Sequence, residues 1–368
     1  MKRNLRILIV TPTILPDISG NAVTAERWRQ SLVKRGLFAD VIAAENLDAN
    51  SLVRCLENIK PEVVHAHHLS KAGSLFLDPY IAERFARLPL VVSPAGTDLA
   101  FQEGQSHGLE TTVARVCKRA SVIVTQGEWV AERLSALFPD IKNGILHVPK
   151  SFVWFGNDSF DLRRAAGWSP EHLVFFLPAG IRPVKRNLEV LLAMQEIYEM
   201  RSHTRLALAG PPIDQEYTAR FQEELELHSE FARWIPVIPC SSMRSAYASA
   251  DVVVNSSSSE GLSNAVLEAI AAEKPLLASD IPANRWSILG KGGVSACGLL
   301  FNVSNSNDFI RLALKLIDDG ELRNELSRAS IERAATWPGP DEEASGLIHA
   351  YEEAIKRQRE KVNTGDCI

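Results

Sequence analysis

No stretch of the 368 residues approaches the ~20 consecutive apolar positions that a membrane-spanning helix requires, so none is expected. Cysteine is scarce. Cys55, Cys117, Cys240, Cys297 and Cys367 are odd in number and contain no C-x-x-C pair, which argues against a disulfide framework or a zinc site and reads as reduced thiols. Neither sign of charge dominates: 40 Lys and Arg against 45 Asp and Glu leave a net charge of -5, no footprint for nucleic acid or an anionic membrane. The N-terminus, MKRNLRILIVTP, begins basic, but its apolar core Ile7–Val10 is too short for a signal peptide, so a cytoplasmic location is expected. Histidine numbers only nine. The pair His65 and His67 alternates on a strand as metal ligands do, yet His203, His228 and His349 fall in helical or surface patterns and leave it without companions. His67 is therefore read as a strand-end histidine lining a cleft between domains, with no metal bound.

What the chain does have is centred on residues 251–279, DVVVNSSSSEGLSNAVLEAIAAEKPLLAS. Val252–Val254 is a β-branched run of the kind buried on both faces of a sheet. A polar loop, Asn255–Glu260, leads to helical spacing of Val266, Leu267 and Ile270, and a second apolar strand follows at Pro275–Ala278. Strand, helix and strand in this length make a βαβ unit. Glu260 and Glu268 lie eight positions apart, about 80° around a helix axis, so both can face one cleft. Gly261, Leu262 and Ser263 sit where amides at a helix N-terminus attract an anion. Carboxylates for sugar hydroxyls beside amides for phosphate suit a nucleotide diphosphate carrying a sugar. Taken singly, two solvated glutamates would give the same spacing.

Six strands alternate with helices up to Val148, starting with Leu5–Val10 and a loop, Thr11–Asn21, that carries Gly20 and Asn21. That loop is not G-x-G-x-x-G, but it occupies the place where an α/β sheet holds a phosphate or sugar. Helix Ala22–Arg35 carries Arg27, Arg29, Lys34 and Arg35, which read as a solvated face able to make at most weak peripheral membrane contact. Residues 152–169 are aromatic, polar and aperiodic, and read as a linker. A second strand-helix series follows, with Arg182 and Lys185 three positions apart beside Gly180 after strand Leu173–Leu177. Two cations there can clamp a diphosphate, arginine as a fork and lysine as a point charge. The expected architecture is two doubly wound α/β domains, 1–155 and 165–338, facing across a cleft.

These motifs together resemble glycosyltransferase family 4, a retaining family with the GT-B fold of two Rossmann-like domains. VVHAHH, PAGTDL, AGIRPVKRNLEVLLA, LALAG, ASADVVVNSSSSEG and GLLF follow the family's order and spacing. GNAVTAERW, the paired GTD and NSSSSEG look like the branch of bacterial selenosugar synthases and animal glycosyltransferase 1 domain-containing proteins. The resemblance implies transfer of a hexosyl group from a nucleotide diphosphate sugar, a UDP-sugar by family habit, to a small-molecule or glycan acceptor. It implies that Glu268 holds the donor ribose and Glu260 the transferred sugar. Arg182 and Lys185, beside Gly180, would bind the diphosphate. Amides of Gly261, Leu262, Ser263 and Asn264 would assist, with Gly20 and Asn21 closing from the first domain and backbone near Ile238 meeting the base. Arg182, Lys185 and Glu260 are the catalytic candidates. A last helix, 341–360, would pack back on the first domain.

One departure stands out. Where many members have a histidine, this chain has Ala95 before Gly96-Thr97-Asp98. The change fits an acceptor that arrives ionised, such as selenophosphate or a thiolate. His67 then takes a supporting role, and Thr97 and Asp98 a structural or acceptor-binding one. No D-x-D is present, consistent with a site that needs neither metal nor cofactor. The rival readings are a nucleotide-sugar epimerase or hydrolase of the same fold, and a non-catalytic nucleotide-sugar-binding protein.

Overall fold

A computed structural model describes residues 5–45, 47–96, 98–99, 107–289 and 295–364. The chain divides into two compact units, Met1–Ser151 with Pro338–Ile368, and Phe152–Trp337. Among the described residues, no helix is long and apolar enough to cross a membrane.

The first unit runs β1 (Arg6–Thr11), α1 (Gly20–Lys34), β2 (Phe38–Ala43), α2 (Ala49–Ile59), β3 (Val63–His67), α3 (Pro79–Arg84), β4 (Leu90–Ser93), α4 (His107–Arg119), β5 (Val122–Thr125), α5 (Glu128–Leu137) and β6 (Ile145–His147). Its parallel sheet has the order β2-β1-β3-β4-β5-β6. Alternation along the strands divides the core by face. Leu8, Val10, Val64 and Ala66 pack with α2, α4 and α5, while Ile7, Ile9, Val91 and Val124 pack with Ala25, Trp28 and the C-terminal helix. Ser19 caps α1 by accepting from Ala22 N at 3.0 Å, so the helix starts at Gly20, two residues earlier than the periodicity suggests.

The basic face expected on α1 is solvated at Lys34 and Arg35 but not at Arg27. Arg27 is only 3% exposed and forks onto Glu343, with Nε 2.9 Å from Oε2 and a terminal nitrogen 3.1 Å from Oε1. Trp28 Nε1 (2.8 Å), Gln126 Nε2 (2.6 Å) and Ser151 Oγ also donate to this fully buried carboxylate. Arg29 pairs with Glu26, and Arg35 with Asp341. Helical spacing alone cannot show this, because Glu343 lies 316 residues downstream.

The second unit holds α6 (Leu162–Ala166), β7 (Leu173–Pro178), α7 (Asn187–Met200), β8 (Thr204–Ala209), α8 (Gln215–Leu227), β9 (Ala232–Ile235), α9 (Met243–Ala248), β10 (Val252–Asn255), α10 (Asn264–Ala271), β11 (Leu276–Ser279), α11 (Pro282–Ile288), β12 (Gly298–Phe301), α12 (Ser306–Asp318) and α13 (Gly320–Ala335). The chain then returns as α14 (Pro340–Thr364), whose Leu347, Ala350 and Tyr351 are buried in the first unit's core. The second parallel sheet has the order β12-β11-β10-β7-β8-β9, with α7, α8 and α12 packed on one face and α9, α10 and α11 on the other.

The segment read as a linker is folded. Leu162 is fully buried against Phe176 and Ala246, and Trp154, Phe160 and Trp168 pack on the same cluster. These three rings are partly buried against the second unit's core, and their irregular spacing reflects a short helix between extended stretches.

Candidate active site

In the second unit the strand order reverses between β7 and β10, which pair in parallel at Val252–Phe175 and Val253–Phe176. Open α/β sheets bind ligands at such a switch point, beyond the carboxyl ends of the strands. The two loops leaving it are residues 179–186 after β7 and 256–263 after β10. Every donor-site residue expected in this half of the chain except Ile238 and Glu268 lies on one of these loops or, like Asn264, directly after it.

The first loop is held by its neighbour after β8. Ile181 N donates to Pro211 O at 2.9 Å, and Ile213 N to Ile181 O at 3.1 Å. The contact is so close that a Cβ on Gly210, at φ +148°, would lie 2.5 Å from the Ala179 backbone, and one on Gly180 would lie 2.9 Å from Ile213 Cγ1. Gly210→Ala is therefore expected to cost about 1–3 kcal/mol through strain and overpacking, read as a lower midpoint in urea unfolding.

The serine run that looked like a plain polar loop stitches the second loop to the first. Ser256 Oγ donates to Lys185 O at 2.6 Å, and Ser258 N donates to Val184 O at 2.9 Å. The side chains meet across this seam. Lys185 Nζ donates to Glu260 Oε1, which also accepts from Ser257 Oγ at 2.7 Å. Lys185 and Glu260 are only 16% and 11% exposed. Burial alone would raise the Glu260 pKa. The Lys185 charge, the Lys185 and Ser257 hydrogen bonds and the Arg182 charge reverse that and hold the carboxyl below its ordinary 4.5. Arg182, Lys185 and Glu260 are thus one electrostatic cluster. Its contribution to stability is present above the unfolded pKa of 4.5 and lost as pH falls through the lower folded value. Acid titration of the unfolding free energy should show the wild type losing stability relative to Glu260→Gln below that pH.

Glu268 lies about one turn into α10, where the fully buried Tyr247 of α9 donates to its Oε2 at 2.8 Å. Sequence spacing named Glu268 but missed Tyr247, which reads only as an apolar-face residue. Ile238, expected to meet the base, lies beyond the end of its strand. β9 ends at Ile235, and Ile238 is a buried loop residue just before the turn Cys240–Ser242. Burial and then the Glu268 charge push the Cys240 thiol upward. At the start of α10, Ser263 is the N-cap residue, yet its hydroxyl accepts from Asn255 Nδ2 at 3.1 Å instead of capping its own helix.

The remaining expected residues belong to the first unit. Gly20 and Asn21 are the first residues of α1. His67 and His65 are buried, and both contact the Trp28 ring. Asp98 is fully buried and accepts from Leu69 N, Ser70 N, Ser70 Oγ and Ala95 N at 2.7–2.9 Å. Its pairing with His68 at 2.8 Å completes a clasp between the loops after β3 and β4. Thr97 lies outside the described residues. Among the described residues, no group of three or more His, Cys, Asp or Glu is placed to hold a metal ion.

Residues 158–333 match the family model of glycosyl transferases group 1. The chain is 28% identical to glycosyltransferase 1 domain-containing protein 1 of Xenopus tropicalis over 318 residues, 84% of this chain and 87% of that one. Among solved structures, the Anabaena protein HepE in complex with UDP-glucose aligns with a TM-score of 0.75 at 14% identity, covering 94% of this chain and 99% of that one. Sucrose-phosphate synthase of Thermosynechococcus elongatus aligns at 0.76 with 12% identity, covering 96% and 99%. Residues 158–333 thus match a glycosyl transferases group 1 domain, and the chain has the GT-B fold.

Proposed function

We propose that the protein is a retaining glycosyltransferase of family 4, acting in the cytoplasm, that moves a hexosyl group from a UDP-sugar to a small acceptor nucleophile. The observation that carries this reading is the convergence of Arg182, Lys185 and Glu260 at the β7/β10 switch point, with Glu268 held by Tyr247 on the helix that follows. The match to a group 1 domain supports it, as does the solution of HepE with UDP-glucose.

In this reading Glu268 binds ribose hydroxyls, and backbone near Ile238 meets the base. Lys185 and Arg182 lie against the two phosphates, and Glu260 orients the hexose. The bond from the anomeric carbon to the diphosphate oxygen breaks as the acceptor bond forms on the same face. The departing diphosphate oxygen takes any proton the acceptor carries, so no separate protein base is needed. Preorganised cations stabilise the charge as it develops, and such stabilisation is usually the largest catalytic contribution. The chain lacks a D-x-D pair, and two cations supply the charge a divalent ion would otherwise bring.

The test is release of free nucleotide from a UDP-sugar with and without an acceptor panel, with the anomeric configuration of the product read by NMR. Acceptor-dependent release with retention supports the proposal. Release without acceptor points to a hydrolase or epimerase, and tight binding without release to a non-catalytic binding protein.

A further inference from the structure

The first unit has its own switch point, between β1 and β3, which pair in parallel up to Val10–Ala66. The next residues along these strands are Thr11 and His67, and His67 pairs in register with Ser93 of β4. Alternation puts all three on the face shared with Trp28 and α14. Thr11 Oγ1 is buried there with no hydrogen-bond partner among the described residues, a cost that a bound ligand at this edge would relieve.

Behind His67 runs a chain of buried groups whose direction can be worked out. Tyr351 is fully buried, and burial followed by the Glu343 charge raises its pKa, so it is a neutral phenol that must donate its proton. Its partner is His65 Nδ1 at 3.0 Å. His65 Nδ1 is therefore the acceptor. Burial depresses the His65 pKa to about 3, so the ring is neutral and its single proton sits on Nε2, 3.0 Å from Ser93 Oγ. Ser93 accepts that proton's bond and turns its own hydrogen to His67 Nδ1 at 2.8 Å. His67 is also held neutral, by burial first and then by neighbouring positive groups including Lys150. Its one proton is then on Nε2, a nitrogen with no partner among the described residues.

We infer that His67 presents an N–H donor, not a base, to a ligand at the β1/β3 switch point, and that this edge takes an oxyanion carried by the acceptor. Tyr351, His65 and Ser93 are positioning residues that fix the tautomer. Lys150, 6% exposed and close enough to His67 to affect its ionisation, adds a buried cation. Asp98 is the nearby opposing charge, but its carboxylate is already committed to His68, Leu69, Ser70 and Ala95. A site built from donors favours a group that arrives ionised and does not remove a proton from it. Describing this ligand as the acceptor rests on the glycosyltransferase reading.

The test uses the full chain labelled with ¹⁵N-histidine and saturated with UDP, so that the diphosphate site is occupied, with inorganic phosphate as the probe. Wild-type His65 and His67 should both show the neutral Nε2–H tautomer by NMR, and Ser93→Ala should leave His67 as a mixture. Phosphate affinity should fall at least about tenfold in His67→Leu and in Lys150→Met, as for loss of a charge-assisted hydrogen bond. His67→Gln, whose side-chain amide keeps a donor near the Nε2 position, should bind phosphate within a few-fold of wild type. A bare Nε2 on wild-type His67, or equal phosphate affinity in wild type and His67→Leu, overturns the inference. Failure of phosphate to bind a chain that does bind UDP sinks this inference alone. Failure of UDP itself to bind counts against the glycosyltransferase reading.

Discussion

Alanine at Lys185 is expected to lower turnover of a UDP-sugar by roughly 10²-fold or more, the loss seen when one preorganised group facing a developing oxyanion is removed. Two effects act in the same direction. The ammonium would no longer oppose the charge of the departing diphosphate. Glu260 would also lose its ion-pair partner and the first of the groups that keep it ionised, so part of its burial cost would reappear as a raised pKa. Arg182→Ala should act mainly through the first effect, because its influence on Glu260 is the weaker one. Steady-state kinetics separate the contributions. If Lys185 acts on the transition state, kcat and kcat/KM fall together; if it only binds the donor, KM rises at unchanged kcat. Near-normal turnover in both variants would refute the diphosphate clamp.

The largest structural effect is expected at Glu343. Glu343→Ala should destabilise the first unit by about 3–5 kcal/mol, because removing one partner of a buried ion pair strands the other. Arg27 would keep its charge at 3% exposure, and Trp28, Gln126 and Ser151 would each lose an acceptor. For a unit of this size the melting temperature should drop by roughly 6–20 °C. Ser151 is the last residue before the chain enters the second unit, and Glu343 follows its return at Pro338. The carboxylate therefore fastens both crossings to the first unit's core. Differential scanning calorimetry of Glu343→Ala beside Arg27→Met should show the double variant losing less than the sum of the singles, since each removes the same pair. Strict additivity would mean that the two side chains do not act together.

Residues 251–279 were legible because their information is local. An unbroken Val252–Val254 run, a polar loop and 3.6-residue spacing specify strand, loop and helix without knowledge of anything distant. The eight-residue spacing of Glu260 and Glu268 was legible too, but only Glu268 lies on the helix: α10 begins at Asn264 and leaves Glu260 in the loop before it. What escaped was whatever depends on a remote partner. Arg27 sits in an ordinary amphipathic helix, and only Glu343 makes it a buried residue. Tyr247 carries no signal that its hydroxyl reaches Glu268. The run Ser256–Ser259 looks like low-complexity loop, yet the hydroxyls of Ser256 and Ser258 and the Ser258 amide join the β7 and β10 loops. The aromatic residues Trp154, Phe160 and Trp168 did carry a warning that 152–169 is no linker, since large rings are seldom left to solvent.

The central claim is that the β7/β10 switch point is a nucleotide-sugar site. Isothermal titration of UDP-glucose into wild type, Lys185→Ala and Glu268→Ala tests it most directly. One saturable site per chain is predicted, with affinity weakened at least about tenfold in each variant, as expected for hydrogen bonds to charged groups. Identical affinity in all three proteins would contradict it.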